Sequence, residues 1–249
     1  MRITTLGTSH GDHTYCRFNS STLIEIGERS YLIDAGAPVG ALLIRAGKET
    51  STLKAVFVTH MHQDHVDGLP GLIKALVKYP QDGQHTTIFL PEADAFEGLG
   101  LWLNTMHVKW PSPLIDTAAV EPGHVYADDR LTVTSLPTRH MASIDGAYSC
   151  GYRLEAEGKR AVFTGDLRGD FSDFPQSIRD EPCDVCVSEM THFKPETALP
   201  ILKECPIGRL IFHHIHNPWH GEGEETLRAI FRDLPYPFEV AHDGDVFEV

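Results

Sequence analysis

The run Thr59-His60-Met61-His62-Gln63-Asp64-His65 places three imidazoles and one carboxylate within six consecutive positions. An apolar stretch of β type, Ala55 to Val58, delivers it, and Gly68-Leu69-Pro70-Gly71 follows. The pattern reads as a buried strand ending in a tight loop, with a helix starting near Leu72. A loop anchored in this way aims several side chains at one point, as a bound metal requires. Neutral imidazole nitrogen and carboxylate oxygen are the ligands that zinc, manganese and iron accept. Neighbours such as Asp64 and His65 serve a single ion poorly, so two ions side by side are expected, His60 and His62 on one, Asp64 and His65 on the other. A chance histidine-rich loop is the plain competing reading in a chain with 15 His. Its place at a strand end weighs against chance.

The same device recurs along the chain. Residues 2–8 read as a first strand, and 21–27 with 30–36 as a hairpin turning at Gly27-Glu28-Arg29. Residues 38–46 read as a short helix with Gly40, Leu43 and Ile44 toward the core. Residues 72–79 are amphipathic at helical spacing, and 87–91 read as a strand. Residues 92–106 read as a helix with Phe96, Leu99, Trp102 and Leu103 inward, followed by a linker-like piece in which Trp110 is expected to pack in the core. The alternating run 131–137 ends at His140, and the apolar run 161–164 ends at Asp166, whose two oxygens can serve two ions. Residues 184–189 form another strand, and 210–216 a last one offering His213, His214 and His216. An amphipathic helix over 222–234 and a closing strand over 240–249 complete the chain.

His60-x-His62-x-Asp64-His65 resembles the signature of the metallo-β-lactamase fold hydrolases. The segments Gly151-Tyr152-Arg153-Leu154-Glu155 and Phe163-Thr164-Gly165-Asp166 are similar to the phosphodiesterase branch, that of ribonuclease Z and the cyclic-phosphate hydrolases. The lactam-hydrolysing branch commonly carries Cys at the bridging position. The resemblance implies an α/β fold: a four-layer αββα sandwich of two mixed β-sheets flanked by helices, in one domain covering residues 1–249. It also implies a ligand set. His140 joins His60 and His62 on one ion, His214 joins Asp64 and His65 on the other, and Asp166 bridges both together with a water. Alignment of Phe212-His213-His214-Ile215 with the family pattern favours His214 over His213 and His216. In that superfamily an acid at the place of Asp34 orients the metal loop; a turn Asp before a glycine is the alternative. Ribonuclease Z-like proteins carry His-Glu-Ala-Thr where this chain has Ser188-Glu189-Met190-Thr191-His192. Glu189 matches and joins Asp64 and Asp166 as a catalytic candidate. The family's acid position is Ser188, which leaves His192, His216 and His220 open as substitutes. By the same resemblance His10 and His13, in the first-strand loop, are candidates for substrate contact.

Acidic residues outnumber basic ones, 35 against 21, for a net charge of −14. That argues against a broad electropositive surface for nucleic acid, while bound cations would still make a local positive site. Bacterial ribonuclease Z proteins insert a tRNA-clamping arm between the counterparts of His140 and Asp166; here 26 positions separate them, too few for an arm. The expected substrate is a small or nucleotide phosphodiester, possible cyclic forms included, and not tRNA. The expected cofactors are two divalent ions, zinc first, with manganese and iron as alternatives. Such ions lower the pKa of bound water toward ~7, and at about 3.5–4 Å apart they hold a bridging hydroxide beside a phosphate oxygen. A thioester, lactone or lactam hydrolase and a non-hydrolytic metal or redox protein are the rival readings. His62 stands where flavo-diiron proteins carry Glu, against the redox reading. No apolar run approaches transmembrane length, no signal-peptide pattern is present, and the 5 Cys form no disulfide framework. Cys183-x-x-Cys186 reads as part of a buried strand. A cytoplasmic protein without membrane contact is expected, and a homodimer is compatible with the sequence.

Overall fold

The structure, a computed structural model, describes residues 1–12 and 14–249. Strands β1 (Arg2–Gly7), β2 (Ser21–Ile26), β3 (Arg29–Ile33), β4 (Leu53–Phe57), β5 (Thr86–Leu90) and β6 (Ile115–Ala119) lie side by side in chain order. Strands β7 (Gly123–Ala127), β8 (Thr132–Pro137), β9 (Cys150–Ala156), β10 (Lys159–Phe163), β11 (Val185–Met190), β12 (Leu210–Ile215) and β13 (Phe238–Val240) form the second sheet. The last strand, β14 (Asp245–Glu248), crosses back to pair with β1. Both sheets therefore hold seven strands among the described residues, and both are mixed. In the first, β2 pairs antiparallel with β1 and β3, and β3 through β6 run parallel. The second repeats the scheme, with antiparallel pairs from β7 to β10 and parallel pairs from β10 to β13.

Three hydrophobic layers separate four structural ones. Ile24, Tyr31, Phe57, Tyr152, Val187 and Ile211 meet between the sheets. The outer face of the first sheet buries Val56, Leu72 and Leu76 against helices α1 (Val39–Arg45), α3 (Leu69–Lys78) and α4 (Ala95–Thr105). The outer face of the second buries Cys186, Phe212 and Phe231 against α5 (Gln176–Asp180), α6 (Pro195–Glu204) and α7 (Gly223–Phe231). A short helix, α2 (Gln63–Val66), lies in the histidine loop itself. A strand buried on both faces needs an unbroken apolar run, and β4 shows why: Ala55 and Phe57 point between the sheets, Val56 toward the helices. This is the αββα sandwich expected.

Several expectations change in detail. The helix after the histidine loop begins at Leu69 instead of Leu72. Strands β6 and β7 and helices α5 and α6 were not read from the sequence; β6 and β7 are half-exposed edge strands with weak alternation. The closing segment is two strands in two different sheets, broken by the turn at Gly244. In α1 the inward residues are Val39, Leu42 and Leu43, while Ile44 is 74% exposed. In α4 Leu103 is buried and Trp102 is 57% exposed, because one residue along a helix turns the side chain by about 100°. Trp110 packs in the helix-side core as expected. Cys183 and Cys186 are buried beside β11, and none of the 5 Cys is in a disulfide. Among the described residues no helix is long and apolar enough to cross a membrane.

Phe57 is fully buried in the inter-sheet layer, stacked 5.0 Å from Phe89 and tilted against Tyr152 at 5.7 Å. Phe57→Ala is expected to cost about 3–5 kcal/mol. In a thermal melt this corresponds to a fall in Tm on the order of 10 °C.

Candidate metal centre

The parallel strands of both sheets end at one rim, and each end contributes polar side chains. β3 ends at Asp34, β4 at Thr59-His60, β8 at His140, β10 at Asp166, β11 at Glu189 and β12 at His214. Carboxyl ends of parallel strands are where such sheets place ligands. The backbone must pass closely here. At Gly36 an added Cβ would lie 2.1 Å from the Asp64 carbonyl, so only glycine lets β3 run against the histidine loop. Gly165, at φ +59°, turns the chain so that Asp166 follows a strand whose side chains face the core.

Three groups of donors result among the described residues, one of them Asp166, Glu189, His192 and His214. His60 Nε2 lies 2.9 Å from His62 Nδ1, which lies 3.2 Å from His140 Nε2; Asp166 Oδ2 is 3.5 Å from His60 and 3.7 Å from His140. Asp64 Oδ2 is 3.1 Å from His65 Nε2 and 3.0 Å from His214 Nε2, and the two imidazoles are 3.3 Å apart. Asp166 Oδ2 also reaches within 3.6 Å of His65. It thus adjoins both groups through one oxygen, while Oδ1 faces His214 Nδ1 at 3.7 Å. Tetrahedral ligands at zinc distances of about 2.0–2.1 Å stand about 3.3–3.4 Å apart, the spacing seen here. All seven residues expected from sequence are brought together in these groups.

The alternatives at β12 are resolved by its backbone. His213 pairs with Glu189 and Ile215 with Met190, so His214 is an extra residue in the ladder, and its φ is +51°. The bulge turns His214 into the site. His213 stays buried between the sheets, 3.3 Å from Thr22 Oγ1, and His216 lies against His10 at a ring distance of 5.2 Å.

The electrostatics fit divalent cations. Among the described residues, every ion-pair partner of Asp64 and Asp166 is a histidine. Burial opposes the charge of both carboxylates, yet His65 and His214 hold Asp64 below the usual range, and His214, His65 and His60 do so for Asp166. Burial pushes His60 well below its ordinary value, with His65 adding to the effect, and lowers His140 too. Burial opposes charge on His65 as well, yet Asp34, Asp166 and Asp64 push it well above its ordinary value, while His60 and His140 resist protonation; a metal is the ordinary further source of positive charge for such buried carboxylates. His214 Nδ1, buried and without a hydrogen-bond partner, is a further donor left open.

The loop is held from behind. Asp34 Oδ1 accepts the Thr59 amide at 2.8 Å, and its Oδ2 meets His65 Nδ1 at 2.8 Å. A carboxylate on the far nitrogen fixes both the tautomer and the ring of a ligand histidine. Asp34 therefore orients His65 as well as closing its turn. Thr59 Oγ1, unremarked in the sequence, touches Asp34, His60 and His65.

Glu189 is 3% exposed and accepts the amides of Leu167 at 2.6 Å and of Thr191 and His192 at 2.9 Å. Its carboxylate also holds His192 Nδ1 at 2.9 Å. His192 Nδ1 lies 3.7 Å from Asp166 Oδ2, and its ring lies 4.5 Å from that of His140, tilted by 56°. Burial lowers the pKa of this imidazole, but the Glu189 hydrogen bond and the Asp166 charge outweigh it and push it up to about 9. Of the three open substitutes for the family acid, His192 is the one at the centre; His220 Nε2 is spent on the Ile215 carbonyl at 2.8 Å. His10 lies beside His216, and His13 lies outside the described residues.

Comparison with known proteins agrees with this geometry. The family model described as "Anti-Pycsar protein Apyc1" matches residues 1–204. A ribonuclease Z from Thermosynechococcus vestitus is 32% identical over 162 residues, covering 64% of this chain and 38% of that protein. The chain spans about half the length, or less, of the curated relatives it matches. The metallo-β-lactamase fold protein YhfI from Bacillus subtilis superposes with a TM-score of 0.78 at 23% identity, covering 99% of both chains. A diphosphatase from the PhnP family superposes at 0.74 with 19% identity, covering 100% of this chain and 97% of its own. The chain belongs to the Apyc1 family and has the metallo-β-lactamase fold.

Proposed function

We propose that this protein is a phosphodiesterase acting on a small or nucleotide phosphodiester, with two divalent ions, zinc for preference, in one domain over residues 1–249. The observation that carries the reading is the pair of donor groups joined at Asp166 Oδ2. His60, His62 and His140 would hold one ion, Asp64, His65 and His214 the other, and Asp166 both. Bound ions supply Lewis acidity to a phosphoryl oxygen and make a water nucleophilic near neutral pH. The residues do the rest. Asp34 and Thr59 lock the loop so that its imidazoles keep their lone pairs on the site. Glu189 holds His192 at Nδ1, and the opposite nitrogen, Nε2, is the candidate proton donor to the leaving oxygen. Glu189 thus acts by positioning His192.

Support for a small substrate comes from the segment between His140 and Asp166. It consists of turns and the β9–β10 hairpin, with no projecting arm. The net charge of −14 also opposes a long polyanion. The similar PhnP-family protein is called a diphosphatase.

Metal-loaded protein should be offered an aryl phosphodiester, a cyclic nucleotide, a glutathione thioester and a chromogenic lactam. Turnover of the phosphodiesters is expected, and turnover of carbonyl substrates alone would refute the proposal. His60→Ala and Asp166→Ala are expected to lower turnover by more than about a thousandfold and to reduce bound metal in elemental analysis. His192→Ala should keep its metal and lose about 10²–10⁴-fold in kcat on a poor leaving group, and far less on p-nitrophenolate, which needs no proton. Chelation should lower Tm on the order of 10 °C, restored by zinc, if ions stand about a thousandfold above their Kd.

A further inference from the structure

His214 is braced differently from the histidines of the β4 loop. There, His65 Nδ1 is held by Asp34 at 2.8 Å, and His60 Nδ1 lies 3.1 Å from Thr59 Oγ1. His214 Nδ1 is buried and has no hydrogen-bond partner among the described residues. Packing does not fix the ring on every side either. With Thr22, Asp34, His65, Asp166 and His213 it lines a cavity of about 30 Å³ between the sheets. Atoms that face a void lose the contacts that would hold them there. The backbone of His214, at φ +51°, is in a region that a non-glycine residue keeps only when its surroundings impose it. The place of this side chain therefore depends on what grips the chain on either side of it.

Both sides are gripped. After His214, the Ile215 amide donates to the Thr8 carbonyl at 2.8 Å, and Thr191 Oγ1 donates to the carbonyl of His214 itself. Before it, His213 Nε2 lies 3.3 Å from Thr22 Oγ1, and both residues are buried. Thr22 belongs to β2 and His213 to β12, so this contact joins the two sheets. The donors for the second ion span the same gap, Asp64 and His65 from the β4 loop and His214 from β12. The first donor group has a tie of its own. Tyr152 Oη donates to the Val58 carbonyl at 2.6 Å, and the Cys150 amide to the Thr59 carbonyl at 3.0 Å. These bonds join β9 to the two residues directly ahead of His60.

On the two-ion reading, we infer that Thr22 and His213 are positioning residues for the second ion, acting through His214, and that Tyr152 has the matching role for the first, acting through His60. The His213 ring is rigid and sits on the residue next to the bulge. Held at Thr22, it fixes the backbone that aims His214. Without the Thr22 hydroxyl, His213 Nε2 is left buried and unpaired, which favours a rearranged bulge. Groups behind a metal ligand typically change metal affinity by about 10–100-fold when they are removed.

The test reads zinc retention instead of turnover. Zinc-loaded wild type, Thr22→Val, Thr22→Ala, Thr22→Ser and Tyr152→Phe are equilibrated against graded zinc–chelator buffers. Bound zinc is counted by elemental analysis, and Tm is taken for each protein. Thr22→Val keeps the shape of the side chain and removes the hydroxyl. It is expected to weaken one of the two zinc dissociation steps at least about tenfold and to leave the other within about twofold. Thr22→Ala should do the same, and Thr22→Ser should restore most of the loss. Tyr152→Phe should weaken the other step. Two backgrounds identify the ions. In His140→Ala, which spares the second ion, Thr22→Val should weaken the remaining zinc about tenfold. In His214→Ala, which spares the first, it should change nothing. Equal weakening of both steps, no change in either, or a loss that persists in His214→Ala overturns the role of Thr22 and His213 and leaves the two-ion site intact. No effect of Tyr152→Phe, or an effect on the same step as Thr22→Val, overturns the role of Tyr152 alone. If wild type holds fewer than two zinc ions at saturation, the two-ion reading falls and the positioning roles fall with it.

Discussion

A single buried carboxylate ties the molecule together. Asp166, 3% exposed, stands within 3.5–3.7 Å of five imidazoles, those of His60, His65, His140, His192 and His214. These come from both sheets and from positions up to 106 residues upstream. Such a carboxylate is costly to bury, and imidazoles such as His60 and His140, which burial keeps from protonating, compensate it only in part. The site is therefore expensive without cations and cheap with them, which links metal binding to the docking of the two sheets.

The fold supplies the geometry by a simple rule. Parallel strands point the same way, so their carboxyl ends collect at one rim. Two sheets built on the same scheme bring two such rims together, and the inter-sheet layer of Phe57, Tyr152 and Ile211 sets the distance between them. Behind the rim, Asp34 and Glu189 play matching parts on opposite sheets. Each ends a strand, takes backbone amides, and fixes one imidazole through its Nδ1. His65 in one donor group and His192 in another are thus held by the same device used twice.

Much of this was legible beforehand because it rests on local pattern. Apolar runs of β type announced β4, β10 and β12, and a ligand-type residue after each run was visible as such. Edge strands β6 and β7 were not, since half-exposed residues carry little periodicity. Helix faces failed by a single position at Ile44 and Trp102, where the side chain is decided by what the helix packs against. The departure from the resembled pattern at Ser188 was plain in sequence, but which nearby histidine stands among the donor groups was not: His192 differs from His216 and His220 only in what surrounds it.

The sequence by itself determined the chemistry, because residue types and the close spacing of His60, His62, Asp64 and His65 are properties of the chain. The layers were expected from the resemblance to the metallo-β-lactamase fold, and strands buried on both faces carry the unbroken apolar runs that such layers need. Tertiary structure alone decided which of three neighbouring histidines turns inward, through a bulge that places His214 at φ +51°. It alone showed Asp34 behind His65 and a buried nitrogen of His10 with no partner. The reason is physical: a side chain's role follows from the groups within a few ångströms, and those arrive from distant parts of the chain.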